Sequence, residues 1–353
     1  MAQIPVIDVS PLFTSPSLTS PEARTTITNI HTAFTTWGVF LLTGTHTIQP
    51  DLTTSLRNAL EAFFSLSQEK KDRIHLRKGG WAWRGYMPWG GEGSSRGGQV
   101  DQKEGFYGGP ELSAAADGAA AGLPTYGRNQ FPDADVPELR PLVLEYIERV
   151  TKLGIVLSSA LSVGLGLGAD HVKEELLSPE PIQLFRAFRY SGREGVDSCG
   201  IGEHSDFGFL TILAQNAPGL QVLSPEGEWV DVPVLPDSFI VNVGDILDRL
   251  TSGLYVSPLH RVLPPSPTSK RLSIPFFFDP AWTAKITALP LGHEPDAAAL
   301  KRWERRSTFN SLDGIWGQYL GVKVQKVFPD LVLPEFSAVS RASTRHLVEV
   351  RKE

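Results

Sequence analysis

The spacing of hydrophobic positions changes rhythm near residue 180. Before that point helical periods dominate. IPVIDVS (Ile4–Ser10) is a brief β signal, and SPEARTTITNIHTAFTTWG then opens with Ser20 and Pro21 at helix-start positions and stops at Gly38. VFLLTG (39–44) reads as a strand. DLTTSLRNALEAFFSLS (51–67) reads as an amphipathic helix with Leu52, Leu56, Leu60 and Phe63/Phe64 on one side. A longer helical pattern runs from Pro137 to Leu167. Between these helices, Gly79 to Arg128 reads as a long loop holding the low-complexity SAAADGAAAG (113–122) and four large aromatics, Trp81, Trp83, Tyr86 and Trp89. Loops of that length are usually disordered or functional, and the aromatics favour function.

After Ile182 the pattern shortens to alternating runs broken by Gly, Pro, Asp and Asn: QLFRAFRY, FLTILAQ, GLQVLSPEGEWVDVP, SFIVNVGD, LYVSPLHRVL and RLSIPFFFD. Such spacing predicts a β-sandwich or barrel, with LQVLSPEGEWVDV as one hairpin. Helical spacing returns after Ala298. The expected class is α+β with a mainly-β core: a helical layer over 1–178, a jelly roll over 179–290 and a helical extension over 291–353, in one compact unit without internal repeats.

Composition narrows the setting. The chain has 353 residues, 41% hydrophobic and 20% charged, which suits a soluble globular protein with a large core. A net charge of −6 gives no general attraction to nucleic acid or anionic membrane. Cys199 is the only cysteine, so no intrachain disulfide can form. The N-terminus lacks the basic start and apolar block of a signal peptide. The most apolar stretch, Leu153–Gly168, is too short and too rich in Gly and Ser to span a bilayer comfortably. A cytoplasmic protein is expected.

His204 and Asp206 stand two apart, so in an extended segment they project to one face. With 8 histidines in the chain, such a pair arises by chance about 0.4 times, and alone it would be a solvated loop pair. His260, in a later strand-like segment, offers the third ligand of a facial iron site. Eleven residues beyond it, Arg271 and Ser273 again share one strand face. A guanidinium forks onto a carboxylate and a hydroxyl adds one hydrogen bond. Metal cage and anion clamp together form a specific signal.

His204-x-Asp206, His260 and Arg271-x-Ser273 resemble the motif set of the iron(II)- and 2-oxoglutarate-dependent dioxygenases, in their isopenicillin N synthase-like branch. The resemblance covers nearly the whole chain, from IPVIDVS and AFTTWGVFLLTG through RGYMPWG…DQKEGFYGG to GEHSDFGFLTILAQ, HRVLPP and RLSIPFFFDP. It implies a double-stranded β-helix with a helical N-terminal part. It further implies Fe(II) held by His204, Asp206 and His260, and 2-oxoglutarate held by Arg271 and Ser273, with Tyr190 on the same carboxylate. Ascorbate can serve such enzymes as reductant. Phe188 stands where many members have Asn, and Ser191 where many have Pro. Retention of Asp206 argues against a halogenase. The implied reaction consumes O2 and 2-oxoglutarate and oxidises an unactivated C–H of a small molecule by hydroxylation, desaturation or ring closure.

Several residues are candidates for the substrate side. Alternation in LFRAFRY puts Leu184, Arg186, Phe188 and Tyr190 on one face, so Arg186 faces the cavity if Tyr190 does. It then meets an anion, either cosubstrate or substrate carboxylate, or forms a structural ion pair. Arg84 with Trp81, Trp83 and Tyr86 forms either a lid or a surface aromatic cluster. Phe207 is expected to line the pocket. Asp101, Lys103 and Glu104 read as a solvated or helix-capping charge group, and the other six histidines as structural or surface residues. Three rival functions stay open at this point: an oxidase of the same scaffold working without 2-oxoglutarate, an ethylene-forming fragmentation of 2-oxoglutarate, and a metal-free jelly-roll binding module.

Overall fold

The structure is a computed structural model that describes residues 3–15, 17–91, 102–111, 124–191, 200–263, 270–304, 314–327, 336–338 and 347–349. Cys199, Asp101, His346 and the SAAADGAAAG stretch lie outside the described residues.

Its N-terminal part alternates strands and helices: β1 (Val6–Asp8), α1 (Ser10–Thr14), α2 (Pro21–Thr36), β2 (Val39–Thr43), α3 (Pro50–Phe64), α4 (Gln68–Asp72), a 3-10 segment (Leu76–Ala82), β3 (Gly85–Met87) and β4 (Lys103–Gly108). Helix α2 begins where the sequence placed it, because the Ser20 hydroxyl accepts from the Ala23 N–H at 3.1 Å. In α3, Leu52, Leu56, Leu60, Phe63 and Phe64 are the buried stripe. The predicted loop from Gly79 to Arg128 is therefore corrected in part: it contains β3 and β4, which pair antiparallel with each other.

Helices α5 (Leu139–Gly164) and α6 (His171–Leu176) lead into the β core. The core comprises β5 (Ile182–Ser191), β6 (Ile201–His204), β7 (Leu210–Gln215), β8 (Leu220–Leu223), β9 (Trp229–Asp231), β10 (Phe239–Val243), α7 (Asp245–Leu250), β11 (His260–Val262) and β12 (Lys270–Asp279). The expected β8–β9 hairpin is present. After it come α8 (Ala297–Glu304), α9 (Trp316–Val327) and a ribbon of β13 (Phe336–Ala338) with β14 (Leu347–Glu349).

Two sheets face each other across a cavity. The larger runs β1-β2-β10-β7-β12-β5-β4-β3 and the smaller β6-β11-β8-β9. This is the jelly roll expected, but the N-terminal region adds more than helices, since β1 to β4 extend the larger sheet at both edges. Apolar side chains on the outer face of that sheet pack against α5. A Cβ at Gly154 would sit 2.7 Å from the Phe278 ring, so only glycine lets the helix lie this close to β12. The buried α5 explains the apolar Leu153–Gly168 stretch, and among the described residues no helix is long and apolar enough to cross a membrane.

Candidate active site

The short strands β6 and β11 pair antiparallel with His204 directly opposite His260. Their ring centroids are 4.2 Å apart. Chain reversal at Ser205–Phe209 returns Asp206 toward them, and His260 Nε2 lies 3.6 Å from Asp206 Oδ1. One donor atom from each of the three residues falls within 4.8 Å of the others. Backbone carbonyls select the imidazole tautomers: His204 Nδ1 is 2.8 Å from Gly202 O and His260 Nδ1 is 3.2 Å from Pro258 O. A proton on each Nδ1 leaves each Nε2 lone pair for a metal.

The far oxygen of Asp206 is held as well. Its Oδ2 accepts from the Thr211 hydroxyl at 2.5 Å and from the Asn242 amide at 2.8 Å. Thr211 and Asn242 face each other across β7 and β10. Neither was singled out from the sequence, although Asn242 is the one polar residue of β10 and Thr211 stands among apolar residues of β7, which a cavity-facing role would explain. Burial, then the charge of His260, pushes the His204 imidazole down to about 4. Burial opposes the Asp206 carboxylate, but the two imidazoles and its two hydrogen bonds still hold it below its ordinary value. Two nitrogen lone pairs and one carboxylate oxygen are thus presented together, a donor set that fits Fe(II) and leaves its remaining positions open.

Across the cavity, β12 pairs with β5 so that Arg271 is opposite Tyr190 and Ser273 opposite Phe188. The Tyr190 hydroxyl is 3.3 Å from Ser273 Oγ, and the Arg271 guanidinium stands 4.7 Å over the Tyr190 ring. Arg271 Nη2 donates to Gln215 Oε1 at 3.1 Å, while its Nε and Nη1 are buried with no hydrogen-bond partner among the described residues. Burial pulls the guanidinium below its ordinary value, a cost that a bound anion would offset. Two unpartnered buried donors beside two hydroxyls fit the distal carboxylate of 2-oxoglutarate.

These groups line one cavity of about 1020 Å³, at the upper end of the range of about 300–1,000 Å³ that suits drug-sized ligands. It has room for a cosubstrate and a small substrate together.

The 2OG-Fe(II) oxygenase superfamily profile matches residues 181–280, and that of the non-haem dioxygenase N-terminal region in morphine synthesis matches 4–134. A probable iron/ascorbate oxidoreductase of Dictyostelium discoideum is 34% identical, over 93% of this chain and 96% of its own. The chain belongs to the 2OG-Fe(II) oxygenase superfamily. A 2-oxoglutarate-dependent dioxygenase of Monascus ruber, citB, is also 34% identical, over 78% of this chain and 84% of its own. Among solved structures, a full-length Neurospora crassa protein in complex with alpha-KG superposes with a TM-score of 0.72 at 25% identity, covering 92% of this chain and 96% of its own. The protein is accordingly an oxidoreductase that uses Fe(II) and 2-oxoglutarate.

On the substrate side of this oxygenase, Leu184, Arg186, Phe188 and Tyr190 all line the cavity, as strand alternation predicted. Trp83 and Phe207 line it too. Arg84 and Tyr86 do not. Arg84 is buried and donates to the carbonyls of Pro110, Gly127 and Thr125, so it fastens the returning chain. Tyr86 is packed on Phe63 and donates to Glu104 at 2.8 Å. Neither the lid nor the surface-cluster reading holds for this pair, since both residues are buried, next to a Trp83 in the left-handed conformation (φ 52°). The solvated reading of Lys103 and Glu104 is also overturned. Both are buried, and Glu104 accepts from Lys71, Tyr86 and Arg189, while Lys103 lies over the Phe188 ring and lines the cavity. Ala298, Lys301 and Arg302 of α8 and Lys323 of α9 complete the wall, contributions that sequence reasoning missed. Of the other histidines, His31 bonds the Tyr255 hydroxyl, His75 accepts from the Arg77 N–H and His293 bonds the Thr251 carbonyl.

Proposed function

We propose that His204, Asp206 and His260 hold Fe(II), that Arg271, Ser273 and Tyr190 anchor 2-oxoglutarate, and that the remaining cavity binds the small molecule to be oxidised. Iron with 2-oxoglutarate supplies the chemistry: O2 is reduced, the cosubstrate is decarboxylated to succinate and CO2, and an unactivated C–H is oxidised. The chain's own residues set the conditions. Gly202 and Pro258 carbonyls keep the Nδ1 protons in place, so the Nε2 atoms stay available. Thr211 and Asn242 fix the carboxylate plane of Asp206. Leu213, Leu220, Val222 and Val262 line the cavity with apolar surface and limit water around the reacting atoms.

The observation that carries this reading is the pair of buried, unpartnered Arg271 donors in the same cavity as the three converging ligand atoms. Anaerobic titration with Fe(II) should give one site in the wild type and none in His204→Ala, with turnover lost in parallel. Unchanged iron binding in that variant refutes the assignment. The rival of an oxidase that works without 2-oxoglutarate makes a different prediction. Succinate released per product separates them: one per turnover supports the first, none with product still forming supports the second.

The division into 1–178, 179–290 and 291–353 and the cytoplasmic setting belong to the same proposal. So does a small molecule, rather than nucleic acid, as the substrate.

A further inference from the structure

Trp83 holds a costly backbone position. Its φ of 52° and ψ of 48° are left-handed, a region that glycine or asparagine fills with less strain than a bulky ring. The turn is fastened on both sides. The Trp83 N–H donates to the Gly80 carbonyl at 3.0 Å, and Gln130 Nε2 donates to the Arg84 carbonyl at 2.7 Å. Strained residues held this firmly by their surroundings cluster at ligand sites.

The strained turn delivers an indole to the cavity wall. Trp83 is only 7% exposed, and its Nε1 is buried with no hydrogen-bond partner among the described residues. Folded chains rarely leave a buried donor unmade, so this one asks for an acceptor. Packing alone does not account for it. A phenyl ring would pack against Tyr107, whose ring centroid is 6.0 Å away, without bringing an N–H. The Arg186 guanidinium stands 4.8 Å from the indole centroid, and a cation there draws on the ring's π electrons and sharpens the N–H as a donor.

The rest of the cavity adds aromatic surface. Phe188, Phe207 and Phe277 line it, and Phe207 lies nearly parallel to Phe277, at 15° with centroids 6.3 Å apart. Rings of this kind take a planar apolar body by stacking or edge contact. A single neutral donor selects a single acceptor, which a carbonyl oxygen supplies without a charge to be desolvated. We propose that the Trp83 indole N–H donates to a carbonyl oxygen of the substrate, so that this oxygenase acts on aromatic carbonyl compounds. The inference rests on the oxygenase reading of the same cavity and adds the substrate class to it.

The test reads the donor itself and uses the full chain free of iron, so it does not depend on turnover. Probes are acetophenone, indanone and tetralone, each paired with its hydrocarbon: ethylbenzene, indane and tetralin. At least one ketone should move the Trp83 indole N–H proton downfield in nitrogen-edited NMR spectra, whereas its hydrocarbon should not. That resonance is identified by its loss in Trp83→Phe, or in Trp83→His if the phenylalanine variant does not fold. Trp83→Phe keeps an aromatic ring and removes the donor. It should weaken the ketone about tenfold, the worth of one hydrogen bond, and the hydrocarbon less than about twofold. A resonance that no ketone moves, one that ketone and hydrocarbon move alike, or a variant that weakens both equally would each overturn the proposal. Succinate release is measured separately: a ketone-specific shift without succinate sinks the oxygenase reading and leaves the indole's role standing, while succinate without such a shift does the reverse.

Discussion

Asp206 divides its work between two oxygens. Oδ1 faces His260, and Oδ2 is held by Thr211 and Asn242 from the larger sheet. Removing one such holder leaves the carboxylate free to rotate and one lone pair unsatisfied. Thr211→Val is therefore expected to lower Fe(II) affinity about 10- to 100-fold while the fold persists, measured by anaerobic metal titration beside a thermal melt. Arg271→Gln should raise the KM for 2-oxoglutarate tenfold or more, by roughly the cost of leaving a charge-assisted pair unmade, with a smaller change in kcat. His204 and Asp206 do meet, but by the turn that follows β6 and not by alternation within it. The Arg-x-Ser pair was legible because strand alternation puts positions i and i+2 on one face of β12. Thr211 and Asn242 were not, because their role depends on which strands become neighbours. Arg84 and Tyr86 were misassigned for the opposite reason: proximity in sequence to Trp83 says nothing once one residue adopts a left-handed turn.

At the level of elements, α7 is the joint of the β core. Asp248 is fully buried in it and accepts from Arg302 Nε at 2.8 Å, Arg302 Nη2 at 2.9 Å and Trp303 Nε1 at 2.8 Å on α8. The same carboxylate accepts from the Ser257 N–H, three residues before His260. One side chain thus ties α8 to the segment that leads into His260. Asp248→Asn should destabilise the protein by about 3 kcal/mol, because the paired charge is lost while Arg302 stays partly buried. A lowered Tm and faster proteolytic release of the C-terminal helices would show it; an unchanged melt would contradict it. Helix α7 has only six residues, too few for helical periodicity to register in the sequence. β3 and β4 were hidden differently, since glycines and a long connection masked their alternation, and the pairing of β4 with β5 is a long-range contact. Long elements with a full stripe, such as α3, were readable throughout.

Over the whole molecule, one buried acid should set a pH signature. Burial chiefly, with a contribution from Asp206, pushes Asp279 up to about 7, although the Phe209 N–H and Arg186 favour its charged form. Its Oδ1 accepts that N–H at 2.9 Å, and a Cβ on Gly208 would lie 2.1 Å from the same oxygen, so the turn after Asp206 is moulded around it. The folded chain holds this proton more tightly than the unfolded chain does. Stability contributed by the protonated acid is therefore present below about pH 4 and is lost as pH rises to about 7, a decline on the order of 4 kcal/mol. Asp279→Asn should flatten that slope in denaturant titrations run across the interval. The overall architecture was legible in the shift of hydrophobic rhythm near residue 180, but the sharing of one sheet by the N-terminal strands and the jelly roll was not, since parallel and antiparallel partners are chosen by packing. His204 and His260 ride on the smaller sheet, while Asp206 is braced by two strands of the larger one. An ion gripped by all three would act as a rivet joining two leaves, so its removal should let them breathe. Amide exchange at 201–206 and 257–262 should accelerate in the stripped protein, which would make mechanical closure of the barrel mouth a reporter of metal loading.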